Sequence, residues 1–150
     1  MAAVTTIKLV IPSEIRLVDM VHEVSQKMAE LAGFEPDDAL NLGLAVREAV
    51  INAVRHGNQE EAARKVEVEV QVEDQKEISV TVLDQGDGFD ADATPDPTDI
   101  ENILMNSGRG ILMIRAFVDD VQFRYREGRG MEVVLSKKLS PSGRAIESGP

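Results

Sequence analysis

Residues 65–90 read KVEVEVQVEDQKEISVTVLDQGDGFD. Val66, Val68, Val70 and Val72 fall on one side of a strict alternation, with charged or amide side chains between them. Strand side chains point alternately to the two faces, so residues 65–73 predict a strand with one face buried. Asp74-Gln75-Lys76 reads as a short turn, after which Ile78, Val80 and Val82 resume the alternation. The two runs predict an antiparallel hairpin whose second strand runs straight into the glycine-rich LDQGDGFD.

Upstream, residues 5–11 alternate around Ile7, Leu9 and Ile11 and predict a first strand. Ser13 stands where an N-cap belongs, opening a helix that ends near Gly33 with Ile15, Val18, Val21, Met28 and Leu31 as its apolar stripe. Pro36, Asp37 and Asp38 open a second helix, because proline and early acids both suit a helix start. Its expected buried face is Leu40, Leu44, Ile51 and Val54, and Gly57-Asn58 closes it. Downstream, residues 89–107 lose periodicity around Pro95 and Pro97. A connection this long reads as a functional lid or an insert, with one helical turn near residues 100–105. A short helix follows over 110–118, then a strand over 121–126, the turn EGRG, a last strand over 131–139 and a frayed tail.

The order is β-α-α-ββ-loop-α-ββ, with no internal repeat. It predicts an α+β fold: a two-layer α/β sandwich whose mixed, mostly antiparallel sheet is covered by helices on one face. One domain is expected over residues 1–150, with its core at about 5–139.

Composition narrows the function. The chain has 150 residues, no cysteine and a formal net charge of −11. Disulfides and thiolate metal sites are excluded, and His22 and His56 are too far apart to suggest zinc. The start MAAVTTIKLVIPSEIR lacks a signal-peptide pattern, and no apolar run is long enough for a membrane helix, so a cytoplasmic protein without membrane contact is expected. Direct nucleic-acid binding needs a basic face, which this balance disfavours. An acidic protein that binds an anionic nucleotide needs a cation, backbone N–H groups or a local base, which makes Mg²⁺ an expectation of any nucleotide reading.

Three stretches carry chemistry. In REAVINAVRHGN, Glu48, Asn52 and His56 are spaced four and four, sharing one helix edge with a drift of about 40° per step. Asn52 can offer a neutral oxygen to Mg²⁺, and Glu48 can orient or deprotonate a nucleophile beside a γ-phosphate. The plain alternative is a polar helix edge. In LDQGDGFD, Asp84 ends a strand while Gly86 and Gly88 permit positive φ and close approach to a ligand. A tight turn is the alternative there, and the EF-hand pattern fails at Gly86 and Phe89. In NSGRGILMIRAF, Gly108 and Gly110 precede a helix whose free N–H groups can bind phosphate, with Arg109 as a nearby base. Met113 stands where the dinucleotide fingerprint needs a small residue, and no P-loop is present.

In this order the three boxes resemble the anti-sigma-factor serine/threonine kinases of bacteria, within the GHKL, histidine-kinase-like ATPase superfamily. The first box resembles Glu48-Ala49-Val50-Ile51-Asn52-Ala53 followed by His56-Gly57; the second matches Asp84, Gly86, Gly88 and Phe89. The third resembles Gly108-Arg109-Gly110-Ile111 after Ser107, running on through Ile114 to Asp119. The resemblance implies a Bergerat-type ATP-binding fold with Glu48 as general base and Asn52 as Mg²⁺ ligand. It implies that Asp84 accepts a hydrogen bond from the adenine amino group, with Gly88 near the base. Residues 89–107 would be a lid, and Gly108, Arg109 and Gly110 would hold phosphates. The implied cofactors are ATP and Mg²⁺, and the implied nucleotide-binding set is Asn52, His56, Asp84, Gly86, Gly88, Phe89 and residues 107–111. The implied partners are an anti-sigma-antagonist protein with an acceptor serine, a sigma factor and a second copy in a homodimer. The family's last-strand Gly-Thr reads Gly130-Met131 here, so a hydroxyl is missing and adenine recognition leans on Asp84 and water. A non-catalytic anti-sigma binding module is the rival reading, and a stand-alone ATPase a third.

Overall fold

The computed structural model describes residues 4–86, 110–126 and 128–139. The expectations placed on the 87–109 segment, including the lid and Gly88, Phe89, Ser107, Gly108 and Arg109, lie outside the described residues, as does the tail.

Five strands form one sheet among the described residues: β1 (Val4–Pro12), β2 (Lys65–Glu73), β3 (Glu77–Leu83), β4 (Asp120–Arg126) and β5 (Gly130–Lys138). Their order is β1-β2-β3-β5-β4, and all four pairings are antiparallel. Register follows the valines. Leu9, Val68, Val82, Val133 and Phe123 oppose one another in turn across the sheet, as do Ile7, Val70, Val80, Leu135 and Val121. Helices α1 (Val18–Leu31), α2 (Pro36–Asn52) and α3 (Gly110–Phe117) supply the second layer. Val66, Val68, Val70, Ile78 and Val80 are wholly buried in one core with Val21, Leu42, Val46 and Val50 of the helices. Burying each such side chain contributes about 1.5–3 kcal/mol. The α+β sandwich is the predicted one.

The helical details depart from expectation in three places. Ser13 is not an N-cap: a 3₁₀ turn at Ile15–Leu17 precedes α1, with Glu14 at its cap position. The Ser13 hydroxyl instead donates to the Arg64 carbonyl (2.7 Å), because the residue is buried under the start of β2. Leu31 is 68% exposed; burial at that end comes from Ala29, Ala32 and Phe34, and Gly33 turns the chain at φ +107°. On α2 the buried face is Ala39, Leu42, Ala45, Val46, Ala49 and Val50 rather than Leu40, Leu44 and Ile51. Close packing explains the difference. A Cβ on Gly43 would collide with the His22 ring of α1, so small residues face the neighbouring helix and larger ones lie towards the rim.

Candidate functional site

Helix α2 does not simply stop at Asn52. It widens into a π-helical turn, Ala53–Gly57, before Asn58 closes it with an N–H bond to the Ala53 carbonyl (2.8 Å). Such widened turns shift side chains relative to a regular helix and often sit at functional sites. Here Glu48, Asn52 and His56 still line one cleft, together with Arg47, Arg55 and Gly110, in a cavity of about 450 Å³. Asn52 is buried and Glu48 half-buried, whereas His56 and Arg55 are exposed at the rim. Arg47 is tied across to Asp19 of α1 at 3.0 Å. The spacing of four and four thus does bring its three residues together.

The far wall is the beginning of α3. A Cβ on Gly110 would come within 2.8 Å of Glu48 Oε2 and 3.8 Å of Asn52 Nδ2, so the helix start is pressed against the acid-amide pair. Unsatisfied N–H groups at a helix start favour anions, which suits phosphate oxygens beside Glu48 and Asn52. Ile111, one residue on, is buried against Phe123 and Met131, so only its backbone is available to a ligand.

Asp84 is not among the residues that line that cleft. It leaves β3 buried, at 4% exposure, with Oδ1 accepting from the N–H groups of Met131 (2.9 Å) and Gly86 (3.0 Å). The Asp84 N–H donates back to the Met131 carbonyl at 3.0 Å. Burial pushes the carboxyl above the ordinary aspartate value; the Met131 and Gly86 N–H groups and the Arg64 charge pull it down without cancelling the rise. Three glycines enclose it. A Cβ on Gly57 would collide with Asp84 Oδ2, one on Gly86 with the Gly57 carbonyl, and one on Gly130 with the Asp84 carbonyl. Gly130 also sits at φ +138°, where other residues are strained.

These contacts correct one reading and refine two others. Gly86 is not at positive φ, and its close approach is to the protein's own backbone. Gly57-Asn58 does close the helix as expected, but without a left-handed conformation, and Gly57 also clears space for the Asp84 carboxylate. Met131 serves Asp84 through its N–H, which any residue but proline supplies, so the missing threonine hydroxyl leaves this contact intact. Sequence reasoning passed over Arg47 and Arg55, which nothing marked, and noted Gly130 only for its place in the EGRG turn and in the Gly-Thr pair, not for its contact with Asp84.

The cleft supplies one buried neutral amide and one carboxylate. Among the described residues no group of three or more His, Cys, Asp or Glu side chains could cage a metal. That donor set fits Mg²⁺, which keeps several waters and is held by one or two protein oxygens plus substrate phosphates.

A family model for the histidine kinase-like ATPase domain matches residues 11–137. The chain is 29% identical over 153 residues to a serine-protein kinase RsbW of Bacillus velezensis, covering 98% of this chain and 92% of that protein. It is 33% identical over 108 residues to an anti-sigma F factor of Oceanobacillus iheyensis, covering 71% of this chain and 73% of that protein. In fold it is similar to a crystal structure of the RsbU and RsbW domains of Rv1364c from Mycobacterium tuberculosis, with a TM-score of 0.63 at 17% identity. That match covers 89% of this chain and 32% of the other. A blue-light activated histidine kinase domain from Erythrobacter litoralis has a TM-score of 0.57 at 20% identity, over 89% of this chain and 66% of that one. At such identities these two likenesses speak for the fold alone.

Proposed function

The chain belongs to the histidine kinase-like ATPase family, among its anti-sigma-factor serine kinases, and from that membership we propose that it transfers phosphate from ATP to a serine of an anti-sigma-antagonist protein. The observation that carries the proposal is the meeting of Glu48, Asn52 and the Gly110 end of α3 in one cleft. A carboxylate, an amide oxygen and a helix N-terminus at one place match the needs of phosphoryl transfer: a proton acceptor, a metal ligand and a phosphate seat.

In this reading the acceptor serine Oγ attacks the γ-phosphorus and its proton passes to the Glu48 carboxylate. The bond from the γ-phosphorus to the β–γ bridging oxygen breaks, and ADP leaves. Asn52 would hold Mg²⁺, whose charge offsets that of the phosphates. Asp84 receives the adenine amino group. His56 and Gly86 border the nucleotide, with Gly88, Phe89, Ser107, Gly108, Arg109 and Ile111 completing its contacts. The names of the relatives support a sigma factor as the protein's second partner. Action as a homodimer in the cytoplasm belongs to the same proposal; no helix among the described residues is long and apolar enough to cross a membrane.

Glu48→Gln tests the assignment. ATP affinity by calorimetry should stay within about threefold of wild type, while labelled phosphate transfer to the antagonist falls by about 10²–10⁴. Wild-type protein that binds ATP and the sigma factor but labels no antagonist would leave a non-catalytic anti-sigma module in place of a kinase.

A further inference from the structure

Asn58 is wholly buried, and every bond of its side chain runs to backbone or to another buried residue. Its Nδ2 donates to Ser13 Oγ (2.8 Å) and to the Lys65 carbonyl (3.0 Å), and its Oδ1 accepts from the Gln85 N–H (2.7 Å). Ser13 passes the connection on to the Arg64 carbonyl at 2.7 Å. The Gln85 side chain reaches back to accept from the Lys65 N–H. One amide therefore clasps four pieces of chain: the end of α2, the β1–α1 junction, the start of β2 and the exit from β3.

Helix capping does not explain why this residue is asparagine. Asn58 closes the π turn through its backbone N–H, at φ −92°, so no left-handed conformation is needed and the side chain is not the cap. The amide also cannot be reversed. Exchanging its oxygen and nitrogen would set N–H against the Gln85 N–H and oxygen against the Lys65 carbonyl, leaving buried groups unpaired.

The residue that Asn58 grips lies between Asp84 and Gly86. Asp84 is held from one side by Met131 of β5, through bonds at 2.9 and 3.0 Å. On the other side its carboxylate receives the Gly86 N–H, and the peptide between Asp84 and Gln85, one residue earlier, is the one that Asn58 anchors through the Gln85 N–H. Oδ1 is consumed by two backbone donors, while Oδ2 lies against Gly57. Only a fixed peptide at residues 84–86 keeps those two oxygens distinct.

We infer that Asn58 is a positioning residue for nucleotide-base selection, which holds the Gln85 peptide so that Asp84 presents one defined oxygen to an exocyclic amino donor. The inference deepens the proposed function and rests on its assignment of Asp84 to the adenine amino group. Adenine offers an amino donor to that oxygen, whereas hypoxanthine places a carbonyl oxygen there. The ratio of ATP to ITP affinity thus reads the alignment of Asp84, and a general loss of stability does not move it.

The test measures ATP and ITP binding to the full-length protein by calorimetry, with melting temperature alongside. Asn58→Ala should lower the ATP/ITP ratio about tenfold or more, since the lost contact is a hydrogen bond to a charged acceptor. Asn58→Asp keeps an acceptor for the Gln85 N–H and should keep the ratio within about threefold of wild type, even at a lower melting temperature. Ser13→Ala removes a donor-side partner only and should also keep the ratio. If Asn58→Ala does not fold, Asn58→Ser replaces it, because a hydroxyl one bond shorter fails to reach Gln85. An unchanged ratio in Asn58→Ala or Asn58→Ser overturns the inference, as does a folded Asn58→Asp that loses the ratio as fully. Wild-type protein with no preference for ATP over ITP would instead overturn the base assignment on which the inference stands.

Discussion

Asp84 is a buried acid whose ionised form is disfavoured by its surroundings, and that has consequences for stability as well as for binding. A carboxyl with a raised value in the folded state stabilises the protein when protonated, and this contribution is lost as pH rises through the folded value. Above the folded value the charge is therefore a burden on the fold. Asp84→Asn retains an oxygen for the Met131 and Gly86 N–H groups and removes the charge. It should melt at or above the wild-type temperature at pH 7.5, with the difference shrinking as pH falls towards 4. Its ATP affinity at pH 7.5 should drop about tenfold or more, as for loss of a charged acceptor. Thermal melts across pH and calorimetry check both; a gap that widens on acidification contradicts the assignment. The spacing of Glu48 and Asn52 placed both on one helix edge, and it took the order of the three boxes to single that edge out as a site. The partners of Asp84 were not, since Met131 lies 47 positions away and contributes only a backbone N–H, which no side-chain type announces.

Helix α3 meets α2 where Gly110 faces Glu48, and a methyl group at that point has nowhere to go without moving the carboxylate. Gly110→Ala should leave the melting temperature within a few degrees, as alanine suits a helix start better than glycine. Phosphate transfer should fall about tenfold or more while ATP affinity changes by less than about threefold, because only the proton acceptor is displaced. Steady-state kinetics beside calorimetry separates the two; equal losses in both would mean that the nucleotide seat has moved instead. The strands were the legible elements, because alternating valines mark a half-buried strand whatever lies across from them. The buried face of α2 was not legible. Leu40 and Leu44 drew attention, whereas Ala39, Ala45 and Ala49 meet the neighbouring elements, and closeness of packing leaves little trace in hydrophobicity.

Across the whole molecule a net charge of −11 opposes a polyanionic ligand, and Arg47 and Arg55 bring positive charge to the cleft. Chelating Mg²⁺ should therefore weaken ATP binding about tenfold or more while leaving the melting temperature of the nucleotide-free protein unchanged. A metal-independent affinity in the presence of excess EDTA would remove Asn52 from its proposed role. The two-layer sandwich was readable from element order, but strand order was not. Nothing local reveals that β5 enters between β3 and β4, since hairpin logic pairs neighbours and is silent on where each hairpin docks. That insertion also sets a schedule for biosynthesis. While the ribosome is still adding residues before Gly130, β3 has one side unpaired, β4 has no strand beside it and Asp84 lacks Met131. The nascent chain thus presents an open sheet edge until its last strand emerges. Until that moment Asp84 lacks the two Met131 contacts that hold it, and a chaperone that shields the open edge acts on β3.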